Sequence, residues 1–157
     1  MSPAELLLVA LLSLFRTNAL AAHCIERNRA SIIASADQAE REMGVPVGVL
    51  LAIAYLETHL GCTTGDGRAN WGAPISASRR HTHGTAYHSA HALAWSFRVC
   101  GTWDRAVSRY RGGYCDHLPR GFRGYTPDYA ISVVRRAYAR AGLPLPDGLE
   151  AHARANP

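Results

Sequence analysis

Apolar residues recur at helical spacing along most of this chain. In residues 25–43, Ile32, Ile33, Ala36, Ala39 and Met43 share one side, with charged residues between them. That spacing predicts a helix, and Gly44 ends it. Val45-Pro46 opens a second helix, because proline suits a first turn where a missing N–H costs nothing. It runs to about His59, with Gly61 closing it. Residues 62–85 hold no sustained period and are rich in Gly, Thr, Asn and Ser. A loop of that length is usually functional or mobile. A third helix is expected over residues 87–99, with Ala90, Leu93, Ala94 and Phe97 on one side and Gly101 as its break. A shorter one over residues 103–111 stops at Gly112-Gly113, and a loop follows. Thr126 then stands as an N-cap before Pro127, and Ile131, Val134, Ala137 and Tyr138 form the stripe of a last helix that Gly142 ends. Trp95 and Trp103 are assigned to the core. No stretch alternates at period two. The fold class is mainly α: one domain of five or six helices, with residues 143–157 as an irregular tail.

The start of the chain has a different pattern. Residues 6–15 are almost unbroken apolar sequence, too short to span a bilayer, which needs about 20 residues. Ala19-Leu20-Ala21 follows as a small-x-small signature. Together these predict a secretory signal peptide over residues 1–21, and hence export to a periplasmic or extracellular space without stable membrane insertion afterwards. Glu5 and the lack of a basic residue before the run depart from that pattern. The competing expectation is an N-terminal core helix.

Composition narrows the chemistry. The chain has 157 residues, one domain's worth, and 48% of them are hydrophobic, enough for a core. All 17 basic residues are arginine, which excludes a lysine Schiff base and a lysine-bearing phosphate loop. The net charge of +5 suits an anionic partner or simply a solvated arginine-rich surface. Cys24, Cys62, Cys100 and Cys115 all lie beyond residue 21. An even count in an exported chain implies two disulfides, with three pairings open. The run Arg79-Arg80-His81-Thr82-His83, with His88 and His91 beyond it, allows a metal reading. A weakly cationic loop is the preferred one, so no metal and no cofactor is expected. No interleaved aromatic platform accompanies these arginines, so nucleic acid is not an expected partner.

With only 12 acidic residues, the position of each carries information. Between Glu42 and Asp66 the only acid is Glu57, with no Lys or Arg in the interval. Glu57 falls in register with Leu50, Ile53, Ala54 and Leu60, beside Tyr55 and Leu56. Apolar surroundings would desolvate the carboxylate and raise its pKa, as a general acid requires. The plain alternative is a helix-end acid facing solvent or pairing with an arginine. Asp66 precedes a glycine, and Asp-Gly is also an ordinary turn dipeptide. Asp104 and Asp116 are expected to be structural, Asp104 as a first-turn helix acid. Trp71 and Tyr110 are either groove aromatics or core.

Several segments resemble the lysozyme-like domain of lytic transglycosylases and goose-type lysozymes. Gly44-Val45-Pro46, Leu50-Leu51-Ala52-Ile53-Ala54 and Glu57-Thr58 are similar to that family's catalytic helix, with Thr58 in place of the usual serine. Gly65-Asp66-Gly67-Arg68-Ala69-Asn70-Trp71-Gly72 resembles its Gly-rich loop, and Ala106-Val107-Ser108-Arg109-Tyr110-Arg111-Gly112-Gly113 its Ala-Leu-x-Ala-Tyr-Asn-x-Gly helix. Thr126-Pro127 with Tyr129 resembles its closing helix. The resemblance spans roughly residues 30–140. Two positions depart: Pro74 stands where the family has glutamine, and Arg111 where it has asparagine.

The resemblance implies cleavage of the β-1,4 bond between N-acetylmuramic acid and N-acetylglucosamine in peptidoglycan glycan strands, and a monomer is expected. Glu57 would be the general acid/base and Asp66 a second carboxylate that positions water. Thr58, Trp71, Gly72 and Tyr110 would contact substrate. The departures motivate a rival reading, a non-catalytic wall-binding protein on the same fold. A third is an unrelated small secreted helical protein.

Overall fold

The computed structural model describes residues 1–62 and 86–149, with residues 86–88 described by their backbone alone. Seven helices, and no strand, occur among the described residues. They are α1 (Pro3–Leu12), α2 (Ala19–Arg27), α3 (Arg29–Met43), α4 (Val47–Thr58), α5 (Ala86–Cys100), α6 (Trp103–Gly112) and α7 (Pro127–Ala141). The mainly α expectation therefore holds. None of these helices is long and apolar enough to cross a membrane.

α4 is the hub. Every residue from Val47 to Tyr55 is buried, because α1, α3, α5 and α7 all pack against this helix. A helix surrounded this way shows no polar face, which explains its unbroken apolar sequence. Gly48 is needed for one of these contacts. A Cβ there would run into the Tyr138 ring, and the Gly48 N–H donates to the Tyr138 hydroxyl at 3.2 Å. Burial pushes the Tyr138 phenol up to about 12, against the Gly48 bond, so it stays protonated.

The helix expected over residues 25–43 is two helices. Asn28 interrupts it with φ −102° and ψ 9°, and its side-chain amide donates to the Cys24 carbonyl at 2.8 Å. An asparagine that bonds its own backbone competes with helix continuation. The predicted ends at Gly44 and Gly142 hold, each with left-handed backbone. Thr126 caps α7 by accepting from the Tyr129 N–H at 3.2 Å. Trp103 is core, as expected, but Trp95 is 52% exposed on α5, which corrects its assignment to the core.

The cysteines pair Cys24 with Cys62 and Cys100 with Cys115. The first bond ties α2 to the turn after α4; the second ties the end of α5 to the segment after α6. On the chain-entropy account each contributes roughly 3–4 kcal/mol.

Residues 1–21, expected to be a leader, form α1 and the beginning of α2. Ala4, Leu7, Leu8 and Leu11 of α1 are buried, and the helix packs on α4 and α7. It begins with both halves of a capping box. The Glu5 N–H donates to Ser2 Oγ at 3.2 Å, and the Ser2 N–H donates to Glu5 Oε2 at 2.7 Å. Beyond α1, Phe15 stacks on Tyr55 at 4.6 Å, Thr17 and Tyr55 share a hydroxyl–hydroxyl bond of 2.7 Å, and Arg140 donates to Ser13 Oγ at 2.8 Å. Glu5, a departure in the leader pattern, is half of that cap.

Candidate active site

Glu57 lies in the last turn of α4, where the helix leaves the core. The helix stops abruptly: His59 and Leu60 both take left-handed backbone (φ 47° and 59°), followed by Gly61 at 83°. Two successive non-glycine residues in that region are uncommon and are held only by surrounding structure. The structure here supplies it. Leu60 is buried, the His59 ring lies 4.7 Å from that of Tyr55, and Cys62 is fastened to Cys24. Thr58 holds the turn as well: its hydroxyl accepts from the Gly61 N–H at 2.9 Å and reaches the Ala54 carbonyl at 3.4 Å. The side chain expected to contact substrate thus serves the helix end.

The carboxylate's surroundings are those of the plain alternative, a helix-end acid that reaches solvent and pairs with an arginine, and not the apolar setting. A third of its side chain is exposed, and two donors from distant sequence converge on one oxygen. The Tyr125 hydroxyl donates to Glu57 Oε1 at 2.7 Å, and Arg111 Nη1 donates to the same oxygen at 3.2 Å. Arg111 comes from the last turn of α6 and Tyr125 from the residue before the α7 cap. A carboxylate at a helix C-terminus faces the negative end of the peptide dipoles; the guanidinium opposes that field.

Two tyrosines line the site. Burial, then the hydrogen bond and negative charge of Glu57, hold the Tyr125 phenol far above its ordinary value, so it is a permanent donor. Tyr110 is packed against the core. Burial raises its pKa and Glu57 adds to the rise, while a bond with the Ser89 hydroxyl opposes them. The Glu57 charge therefore reaches the Tyr110 hydroxyl.

The segment between α6 and α7 is pinned at several points. Cys115 is bonded to Cys100, and Ser108 Oγ donates to the Tyr114 carbonyl at 2.8 Å. Tyr114 stacks on His117 at 4.2 Å, and the Phe122 N–H donates to the Pro119 carbonyl at 3.2 Å. Asp116 accepts from His117 at 2.8 Å, and this bond holds its carboxyl below its usual range. Against this segment is a cavity of about 490 Å³, lined by Asp104, Ser108, Asp116, His117 and Asp128 among others. Asp104 and Asp128 stand in the first turns of α6 and α7, where the helix dipole favours an acid.

Of the residues singled out from sequence, Glu57, Thr58 and Tyr110 are thus located. Asp66, Trp71 and Gly72 lie outside the described residues, as do Pro74, Arg79, Arg80, His81 and His83. Tyr125 and Arg111 were missed as partners of Glu57. Arg111 stands out in sequence only as a departure from the asparagine of the family that the chain resembles, and Tyr125 only as the neighbour of a helix cap. No protein-family model matches the chain, and comparisons with curated proteins and with solved structures likewise find no match.

Proposed function

We propose that this chain is an exported peptidoglycan-cleaving enzyme of the lysozyme-like, transglycosylase type. It breaks the β-1,4 bond after N-acetylmuramic acid with Glu57 as general acid/base. One observation carries the reading. The lone acid of α4 emerges at the helix's end onto two donors, Arg111 and Tyr125, which lie 54 and 68 positions away in sequence. The two disulfides are compatible with export.

In the proposed reaction, protonated Glu57 gives its proton to the glycosidic oxygen as the C1–O bond breaks. The resulting carboxylate then takes a proton from the attacking hydroxyl. If that hydroxyl is the sugar's own 6-OH, the product is a 1,6-anhydro end; if it is water, a reducing end. Tyr125 fixes one carboxylate oxygen. Arg111 and Tyr125 both donate to Oε1, so the reading assigns the transferred proton to Oε2. Asp66 keeps its proposed water-positioning role, and Trp71 and Gly72 their proposed contacts with the glycan.

The direct test is clearing of a peptidoglycan suspension, with mass spectrometry of the released glycans. Wild type clears and releases muropeptides; Glu57→Gln keeps the fold and releases none. Equal release by the mutant removes Glu57 from the mechanism. The ion pair between Arg111 and Glu57 favours a second reading, a wall-binding protein without turnover. That protein would co-sediment with peptidoglycan and release nothing.

A further inference from the structure

Arg111 makes more contacts than an ion pair needs. Besides Glu57, its Nη2 donates to the Arg123 carbonyl at 3.3 Å, and its Nε to the Tyr125 carbonyl at 3.4 Å. Its guanidinium lies over the Tyr125 ring at 4.0 Å and the Phe122 ring at 4.9 Å. Only 16% of the side chain is exposed. The planar fork of arginine suits this role, because it donates in several fixed directions while its faces stack on rings.

The segment it touches is shaped around it. Gly124 has φ +98°, which a side chain rarely adopts, and a Cβ there would stand 2.6 Å from Arg111 Nη2. The glycine supplies a backbone conformation and at the same time clears space for the guanidinium. Hydrogen bonds, ring stacking and a steric vacancy thus agree on one partner for residues 122–125.

We propose that Arg111 is a positioning residue: it clamps residues 122–125 against the end of α4 and so delivers the Tyr125 hydroxyl to Glu57. Its kinetic consequence rests on the proposed glycosidase activity; the clamp itself does not.

Two arms keep those apart. The first is limited trypsin digestion of the full chain, read by mass spectrometry at the exposed Arg120 and Arg123. Arg111→Ala should speed cleavage there about tenfold, because cleavage tracks the population of opened loop. Arg111→Lys keeps charge without the fork and should be intermediate. Gly124→Ala should also speed cleavage, but by a smaller factor when Arg111 is already alanine, since no guanidinium remains to collide with. Unchanged cleavage in Arg111→Ala, or an equal effect of Gly124→Ala in both backgrounds, overturns the clamp. If Arg111→Ala does not fold, Arg111→Lys and Gly124→Ala decide the matter by the same readout.

The second arm is kinetic. Misplacing a reacting group by about 1 Å costs on the order of 100-fold. Arg111→Ala should therefore lower kcat about 100-fold with KM within about threefold, and Arg111→Lys should recover part of it. A rise in KM with kcat unchanged refutes the positioning role. A wild-type chain without activity on peptidoglycan defeats the functional reading, while the trypsin arm still judges the clamp.

Discussion

α1 and α4 are both apolar helices packed against each other, and they are held by different means. α1 starts with a reciprocal Ser2–Glu5 cap and leaves part of its surface open, with Val9 41% exposed. α4 has no side-chain cap at its start and is buried from Val47 to Tyr55. Local hydrogen bonding defines where α1 begins, whereas packing on all sides defines α4. The end of α4 differs again: its last turn carries Glu57 into a polar cluster, while the last turn of α1 has no ionisable side chain of its own and its C-cap Ser13 accepts from Arg140. A uniformly apolar run therefore has no single meaning. Its flanking polar residues say whether it is capped, and its neighbours in space say whether it bears chemistry.

The largest test of this contrast is to remove α1. Without residues 1–21 the chain loses the burial of Leu7, Leu8 and Leu11, each worth roughly 1.5–3 kcal/mol. That sum approaches the whole stability of an ordinary domain, about 5–15 kcal/mol. The truncated chain should lose its cooperative thermal transition. The intact mass of exported protein shows whether residues 1–21 stay attached; a chain beginning at Ala22 that still melts cooperatively would make α1 dispensable.

Within α4 the two halves should respond oppositely. Glu57→Gln should reduce turnover about 100- to 10,000-fold with little change in melting temperature. Ile53→Ala, in the fully buried half, should cost about 2–5 kcal/mol in a denaturant titration. A large stability loss from the first or a small one from the second would erase the distinction. Tyr125→Phe should lower kcat roughly tenfold and leave the fold intact, since a charged hydrogen bond is lost but the ring remains. The smallest effect belongs to the α1 cap: Ser2→Ala should destabilise by about 1 kcal/mol, visible as a shift in urea midpoint at unchanged slope.

Much of the helical layout was legible because its signals are local. The glycines at positions 44 and 142, the Thr126-Pro127 start and the period of residues 127–141 all act within a turn or two of where they sit. The break at Asn28 was hidden, because apolar spacing continues across it and only a side-chain bond to Cys24 interrupts the helix. The Ser2–Glu5 cap was present in the sequence but masked by the apolar run that follows. Trp95 went the other way: its size suggested burial, yet it is 52% exposed, beside Glu42 and Met43 at the end of α3.

At the candidate site the division falls between a residue and its partners. Glu57 stood out from sequence because a single acid in a long apolar interval is conspicuous without any coordinates. Its neighbours could not stand out, since Arg111 and Tyr125 are 54 and 68 residues away and meet it only once α6 and α7 are packed on the rest of the bundle. The sequence by itself determined the mainly α class, most helix ends, an even set of cysteines and one unusual carboxylate, all of which follow from short-range patterns or counts. Tertiary structure alone decided the disulfide pairing, the burial of α1 and the donors on Glu57. Those depend on which surfaces meet, and hydrophobic burial, which is non-directional, brings distant segments together without marking them in the chain.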